Sequence, residues 1–241
     1  MGAPRRARGA RRGTTAPERH NRSVITRLGL RATISRLPGL LVGLAIFGIG
    51  IALMARAGLG LGPWEALHQG IGRLTGIPLG TVSILLGIPI LAMWWPLGER
   101  PGVGTLLNVV LIGSSTNVGL ALLPPVSGTA GQVAVMLLGV ATIAVGSGLY
   151  LAADLGAGPR DGLMTGIHRR FGWSIRRART AVELSVLLGG YLLGGTIGLG
   201  TVVFALGIGP LVQLALRVFD REGRVGRGRS VALEAPGTVG E

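Results

Sequence analysis

Six times along the chain, a run of roughly 17 to 22 residues passes with almost no charge. The runs are Leu37 to Ala55, Ile77 to Leu97, Val103 to Leu123, Gln132 to Ala153, Thr180 to Ile197 and Leu199 to Val218. At 1.5 Å of helical rise per residue, each reaches across the ~30 Å hydrocarbon layer of a bilayer. With 48% hydrophobic and only 14% charged residues and a mean hydropathy of +0.57, this is not a soluble composition. The 44 glycines would weaken helices in water. In lipid they let helix backbones approach closely. The expected fold class is an all-α membrane protein with six transmembrane helices, and its first partner is the lipid bilayer.

The formal net charge of +14 raises nucleic acid as a partner, but the placement of the charge argues against it. All 24 basic residues are arginines, and under an orientation with the N-terminus inside, only Arg56 and Arg73 fall outside. That asymmetry is the positive-inside pattern and predicts both termini in the cytoplasm. The arginines therefore report orientation, and no nucleic-acid partner is expected. Cysteine is absent, which removes disulfides, thiol catalysis and thiolate metal sites. No nucleophile–base constellation or metal-ligand spacing stands out, and His68 and His168 fall on opposite sides of the membrane in this orientation. The chain does not read as an enzyme, and neither cofactor nor metal is expected.

The stretch "GLGLGPWEALHQG" from Gly58 returns as "DLGAGPRDGLMTG" from Asp154, 96 residues later. Aligned at that offset without gaps, positions 43–120 and 139–216 share 23 identities in 78 pairs. Composition alone would give roughly a third as many, so the chain is an internal repeat. The halves are about 37–123 and 132–219, and three spans in each is an odd number. The second half must then cross in the opposite sense, which predicts an inverted-topology 3+3 repeat of the kind used by many secondary transporters. Within each half, Gly62, Pro63 and Glu65, and again Gly158, Pro159 and Asp161, read as a helix start with an acid in the first turn. The segment that follows is too short to span, and is either interfacial or re-entrant.

Two readings stand for these acids. Glu65 and Asp161 are capping groups at an interface, or they face a substrate or ion pathway. Glu183, the acid inside a span, is a proton or cation partner, or is neutralised by the nearby Arg176, Arg177 or Arg179. Asn108, Asn117 and Gln213 serve interhelical hydrogen bonds or contact substrate. Trp64, Trp94, Trp95 and Trp173 fall near the ends of apolar runs, as aromatic-belt anchors do. Pro89 and Pro210 interrupt two spans. Residues 1–36 form a basic cytoplasmic tail, in which Ser23 to Arg36 has the make-up of an interfacial helix. Residues 220–241 have the composition of a disordered cytoplasmic tail.

At "AGLGLGPWEALHQGIGRLTGIPLGTVSILLGIPIL" and "WPLGERPGVGTLLNVVLIG" the sequence resembles the YczE/YitT family of bacterial integral membrane proteins. The resemblance covers about Leu37 to Phe219. It implies a location in the bacterial inner membrane. Some members accompany genes for secondary-metabolite production, which implies export or a supporting role. The function expected is a secondary transporter or export-type permease for an unidentified small molecule or ion. The alternative is a non-transporting scaffold for a membrane-associated biosynthetic complex. A homo-oligomer is compatible with either.

Overall fold

The computed structural model describes residues 30–221, 223 and 225, and among these every regular element is an α-helix. In chain order they are α1 (Leu30–Ala57), α2 (Pro63–Thr75), α3 (Leu79–Leu97), α4 (Val103–Leu122), α5 (Thr129–Ala152), α6 (Pro159–Phe171), α7 (Ile175–Leu192) and α8 (Leu199–Phe219). Five are long and apolar enough to cross a membrane, namely α1, α3, α4, α5 and α8.

The expected fifth span starts earlier than its apolar run. The Ser174 hydroxyl accepts a hydrogen bond from the Arg177 amide at 3.2 Å, so α7 is capped at Ser174 and ends at Leu192 rather than Ile197. Its first turns carry Arg176, Arg177 and Arg179, which is why α7 lacks the apolar character of the other five. The first span likewise begins ahead of Leu37, because Leu30 to Arg36 continues into α1 as one helix. The earlier part of the basic tail, and the C-terminal tail apart from a few residues, lie outside the described residues.

The 96-residue offset governs helix boundaries as well as identities. Helix starts at Pro63 and Pro159, Leu79 and Ile175, and Val103 and Leu199 are all that distance apart. So are the left-handed glycines that end α2 and α6, Gly76 at φ 75° and Gly172 at φ 70°, a conformation that costs glycine nothing.

At the centre, α1 packs along α5, with Leu40, Leu44, Ile51 and Met54 against Val140 and Ile143 in the core. The contact is made by glycine, since lipid offers no hydrophobic drive between helices and close backbone packing must supply it. A Cβ on Gly43 would stand 2.6 Å from the Tyr150 amide nitrogen, and one on Gly139 would stand 3.0 Å from the Gly50 carbonyl. Partners thus run backwards along α5 as they run forwards along α1, and the two helices are antiparallel. Outside this pair, α4 packs on α1 and α8 on α5, with Gly119 against Ala52 and Gly148 against Ala215. The four positions are again one contact written twice with its partners exchanged.

The chain ties one half to the other by the same exchange. The amide of Gly200 donates to Leu59 O at 2.8 Å, and that of Gly104 donates to Leu155 O at 3.0 Å. Thr105 and Thr201, both buried, turn their hydroxyls back to accept from the amides of Gly102 and Gly198, at 3.1 and 3.2 Å. Thr105 also donates to Ala157 O at 2.7 Å.

Candidate functional site

Each short helix opens on the same local grammar. Gly62 and Gly158 are extended, Pro63 and Pro159 take the first helical position, and the acid follows in the first turn. Proline suits that position because its missing amide hydrogen is not needed there and its φ is already helical. Both starts are buried in the bundle: Pro63, Trp64 and Glu65 in one half, Pro159 in the other.

The two starts meet through a charge. Arg160 Nη2 donates to Glu65 Oε1 in an ion pair, and its guanidinium lies over the Trp64 ring, 5.2 Å from the centroid. Trp64 and Arg160 occupy equivalent positions of the repeat, so one half's ring faces the other half's cation. The Glu65 side chain is 4% exposed and that of Arg160 is 29% exposed. Burial works most strongly against the Glu65 charge, yet the charge and hydrogen bond of Arg160, together with smaller attractions nearby, hold the carboxyl below its ordinary value. Burial pushes His68, one turn further along α2, down to about 4 against the pull of Glu65, so it is neutral at pH 7. Its ring lies 6.5 Å from that of Trp64.

Trp64, His68 and Arg160 among these groups border a cavity of about 310 Å³. Asp161 lines it too, and Asn108, Ser147 and Tyr150 add polar atoms. Arg179 and Glu183 of α7 line it as well, as do Gln213 and Leu216 of α8.

The cavity follows from a difference between two matched helix pairs. Between α3 and α4, Gly80 and Gly113 face each other so closely that a Cβ on Gly113 would stand 2.4 Å from the Gly80 carbonyl. Asn117 closes the seam, accepting from the Gly80 amide at 2.9 Å and donating to Thr81 Oγ1 at 2.9 Å. The equivalent helices, α7 and α8, do not pack in this way. There Arg176 replaces Gly80, a Cβ on Gly209 would meet nothing within 4 Å, and Gln213 lines open space. Glu183 stands where α3 has Gly87, a glycine pressed against Val109.

Asp161, Glu183, Gln213, Gly158 and Pro159 therefore share the cavity wall. Glu65 reaches it through Arg160, and Gly62 and Pro63 set the start of α2 behind it. Asn117 lies apart, in the α3–α4 seam. Two tryptophans depart from the expected belt. Trp64 is 5% exposed in the cavity wall, and Trp94 is 2% exposed, with its Nε1 donating to Pro159 O at 3.0 Å and its ring against Gly162. Trp95, by contrast, is 89% exposed. Sequence reasoning passed over Arg160 and Arg179 as site residues. The signal for Arg160 was present in its alignment with Trp64, an unlike pair inside the most alike segment.

Comparison with known proteins gives this architecture its relatives. An uncharacterized protein of Haemophilus influenzae is 43% identical over 182 residues, covering 76% of this chain and 84% of that one. The uncharacterized membrane protein YczE of Bacillus subtilis is 37% identical over 70% of this chain and 79% of its own. The uncharacterized protein YyaS of the same organism is 23% identical over 75% and 92%. No solved structure matches. A family model described as a family of unknown function, DUF6198, matches residues 34–217, nearly all of the helical bundle. The chain is thus a YczE-like membrane protein and belongs to the DUF6198 family.

Proposed function

We propose that the protein is a secondary transporter of the export-permease type, built as an inverted 3+3 repeat in the bacterial inner membrane with both termini cytoplasmic. The observation that carries this reading is the contrast between equivalent helix pairs: α3 and α4 are sealed, while α7 and α8 stand apart around a cavity. Two halves of one design in two different packings are what an alternating-access cycle needs, because exchanging the packings would move the opening to the other face. The antiparallel α1–α5 contact and the exchanged contacts around it support a two-fold relation lying across the helices. In this reading α7 completes the sixth crossing. The arginine distribution puts the N-terminal end of α7 and the C-terminal end of α8 at the cytoplasm, so the open gap receives substrate from inside.

Within such a cycle the Glu65–Arg160 pair joins the two halves where they must move past each other. Glu183 supplies a charge in the open gap for substrate or a coupling ion.

The absence of native cysteine makes the test direct. Spin labels on Thr75→Cys with Leu122→Cys report on the α3–α4 side. Labels on the repeat equivalents, Phe171→Cys with Val218→Cys, report on the α7–α8 side. All four positions are exposed. In lipid nanodiscs each pair should give two distance populations, the first weighted short and the second weighted long. A single fixed distance in both pairs would rule out alternating access and leave a static scaffold.

A further inference from the structure

Trp64 and Glu65 place an indole face and a carboxylate side by side on the first turn of α2, both nearly excluded from solvent. Those are the two elements with which proteins hold organic cations. Arg160 now takes both, as ion-pair partner and as ring-stacked cation. Neither element is used up. Glu65 Oε2 is buried without a hydrogen-bond partner, and Trp64 Nε1 is directed toward Glu183 without reaching hydrogen-bond geometry. Arg160 itself belongs to the other half and keeps an exposed edge on the cavity, so it can leave.

The rest of the wall agrees in charge and shape. Among the described residues, Asp161 and Glu183 balance Arg160 and Arg179 in the wall, and Glu65, behind Arg160, adds a third acid, while His68 is neutral. Phe47, Tyr150 and Phe204 give it an aromatic lining. With Arg160 swung away from Glu65, the freed carboxylate and the aromatic wall favour a cation with an apolar body over an anion.

We infer that the Trp64–Glu65 corner is a binding site for an organic cation with an amine or guanidinium head and an apolar body, and that Arg160 fills it as a tethered competitor when no ligand is present. This names the substrate class of the transport site and rests on that reading for its role in a cycle, although binding can be measured on its own. A ligand that displaces Arg160 undoes the tie between the first turns of α2 and α6. Binding is then coupled to the relative position of the two halves, because the ligand prefers the state in which the tie is open.

The test uses the full-length chain in nanodiscs and radiolabelled phenylethylamine, with phenylacetate as the anionic control. The wild type should bind the amine saturably and ignore phenylacetate. Arg160→Ala removes the competitor and should bind the amine at least tenfold more tightly. Glu65→Gln should bind at least tenfold more weakly, and Arg160→Lys, which keeps a shorter tethered cation, should fall nearer the wild type than Arg160→Ala does. A merely structural ion pair predicts the reverse for Arg160→Ala, with binding unchanged or lost. If Arg160→Ala does not fold, the wild type against Glu65→Gln decides: equal amine binding overturns the site. Equal binding of phenylacetate and phenylethylamine also overturns it. Counterflow in proteoliposomes separates the two readings. Amine binding without counterflow of any solute removes the transporter and leaves the cation site, whereas counterflow of other solutes with no amine binding removes the cation site and leaves the transporter.

Discussion

The α3–α4 and α7–α8 pairs share a position in the repeat and the same glycine, Gly113 in one and Gly209 in the other, yet only the first pair is packed. A glycine on one helix does not bring two helices together. The opposing residue must also be small, and Gly80 is, whereas its equivalent Arg176 is not. Glu183 in place of Gly87 repeats the lesson two turns later, with a charged side chain where the other half admits Val109. In a bilayer, where close packing rather than water exclusion holds helices together, these exchanges decide which seam is shut.

The comparison breaks most visibly at the first turns, where Trp64 of one half meets Arg160 of the other. Arg160→Ala leaves the Glu65 carboxylate buried and unpaired, and should lower stability by about 3–5 kcal/mol, read from denaturation of the purified protein in detergent. Asp161→Ala, at the repeat equivalent of Glu65, removes a half-buried group and should cost much less. Equal losses for the two would show that the ion pair does not hold the halves together.

The next largest effect lies in the paired glycines. Gly113→Ala forces a methyl group against the Gly80 carbonyl, and overpacking of this kind costs about 1–3 kcal/mol. Gly209→Ala meets open space, and should be neutral or gain up to about 1 kcal/mol from helix propensity. Thermal melts of both variants check the difference, and a matching loss for Gly209→Ala would mean that α7 and α8 pack as α3 and α4 do.

Smaller still is the amide pair. Asn117→Ala removes both of the side chain's bonds across the α3–α4 seam, and interhelical hydrogen bonds in membranes are worth about 0.6 to 1.7 kcal/mol. Gln213→Ala should leave the melting temperature in place and alter ligand affinity instead, since that side chain faces the cavity. A stability loss without any change in binding would move Gln213 from the site to the scaffold.

Much of this architecture was legible in the residues alone. Pro63 and Pro159, each behind a glycine and ahead of an acid, announced the short helices, because capping is a local matter settled within a few residues. The offset of 96 residues carried the helix starts for the same reason. What stayed hidden depends on how helices cross. Trp94 looks like an interfacial anchor at the end of an apolar run, and only its approach to Gly162 makes it a buried donor to Pro159. Glu65 and Arg160 are 95 residues apart, and nothing in either neighbourhood says that the two first turns face each other. The fifth apolar run misplaced α7 because hydropathy pulled the segment toward Ile197, whereas the serine cap at Ser174 fixed its start.

The crossed backbone bonds have a consequence for how the protein comes into being. Leu59 is synthesised early, but the amide that it accepts from belongs to Gly200, in the last helix of the bundle. The first half therefore enters the membrane with its linker unclaimed, and it must hold that stretch of backbone in waiting until α8 has been made. Neither half can complete itself, and assembly is settled only when the final helix arrives.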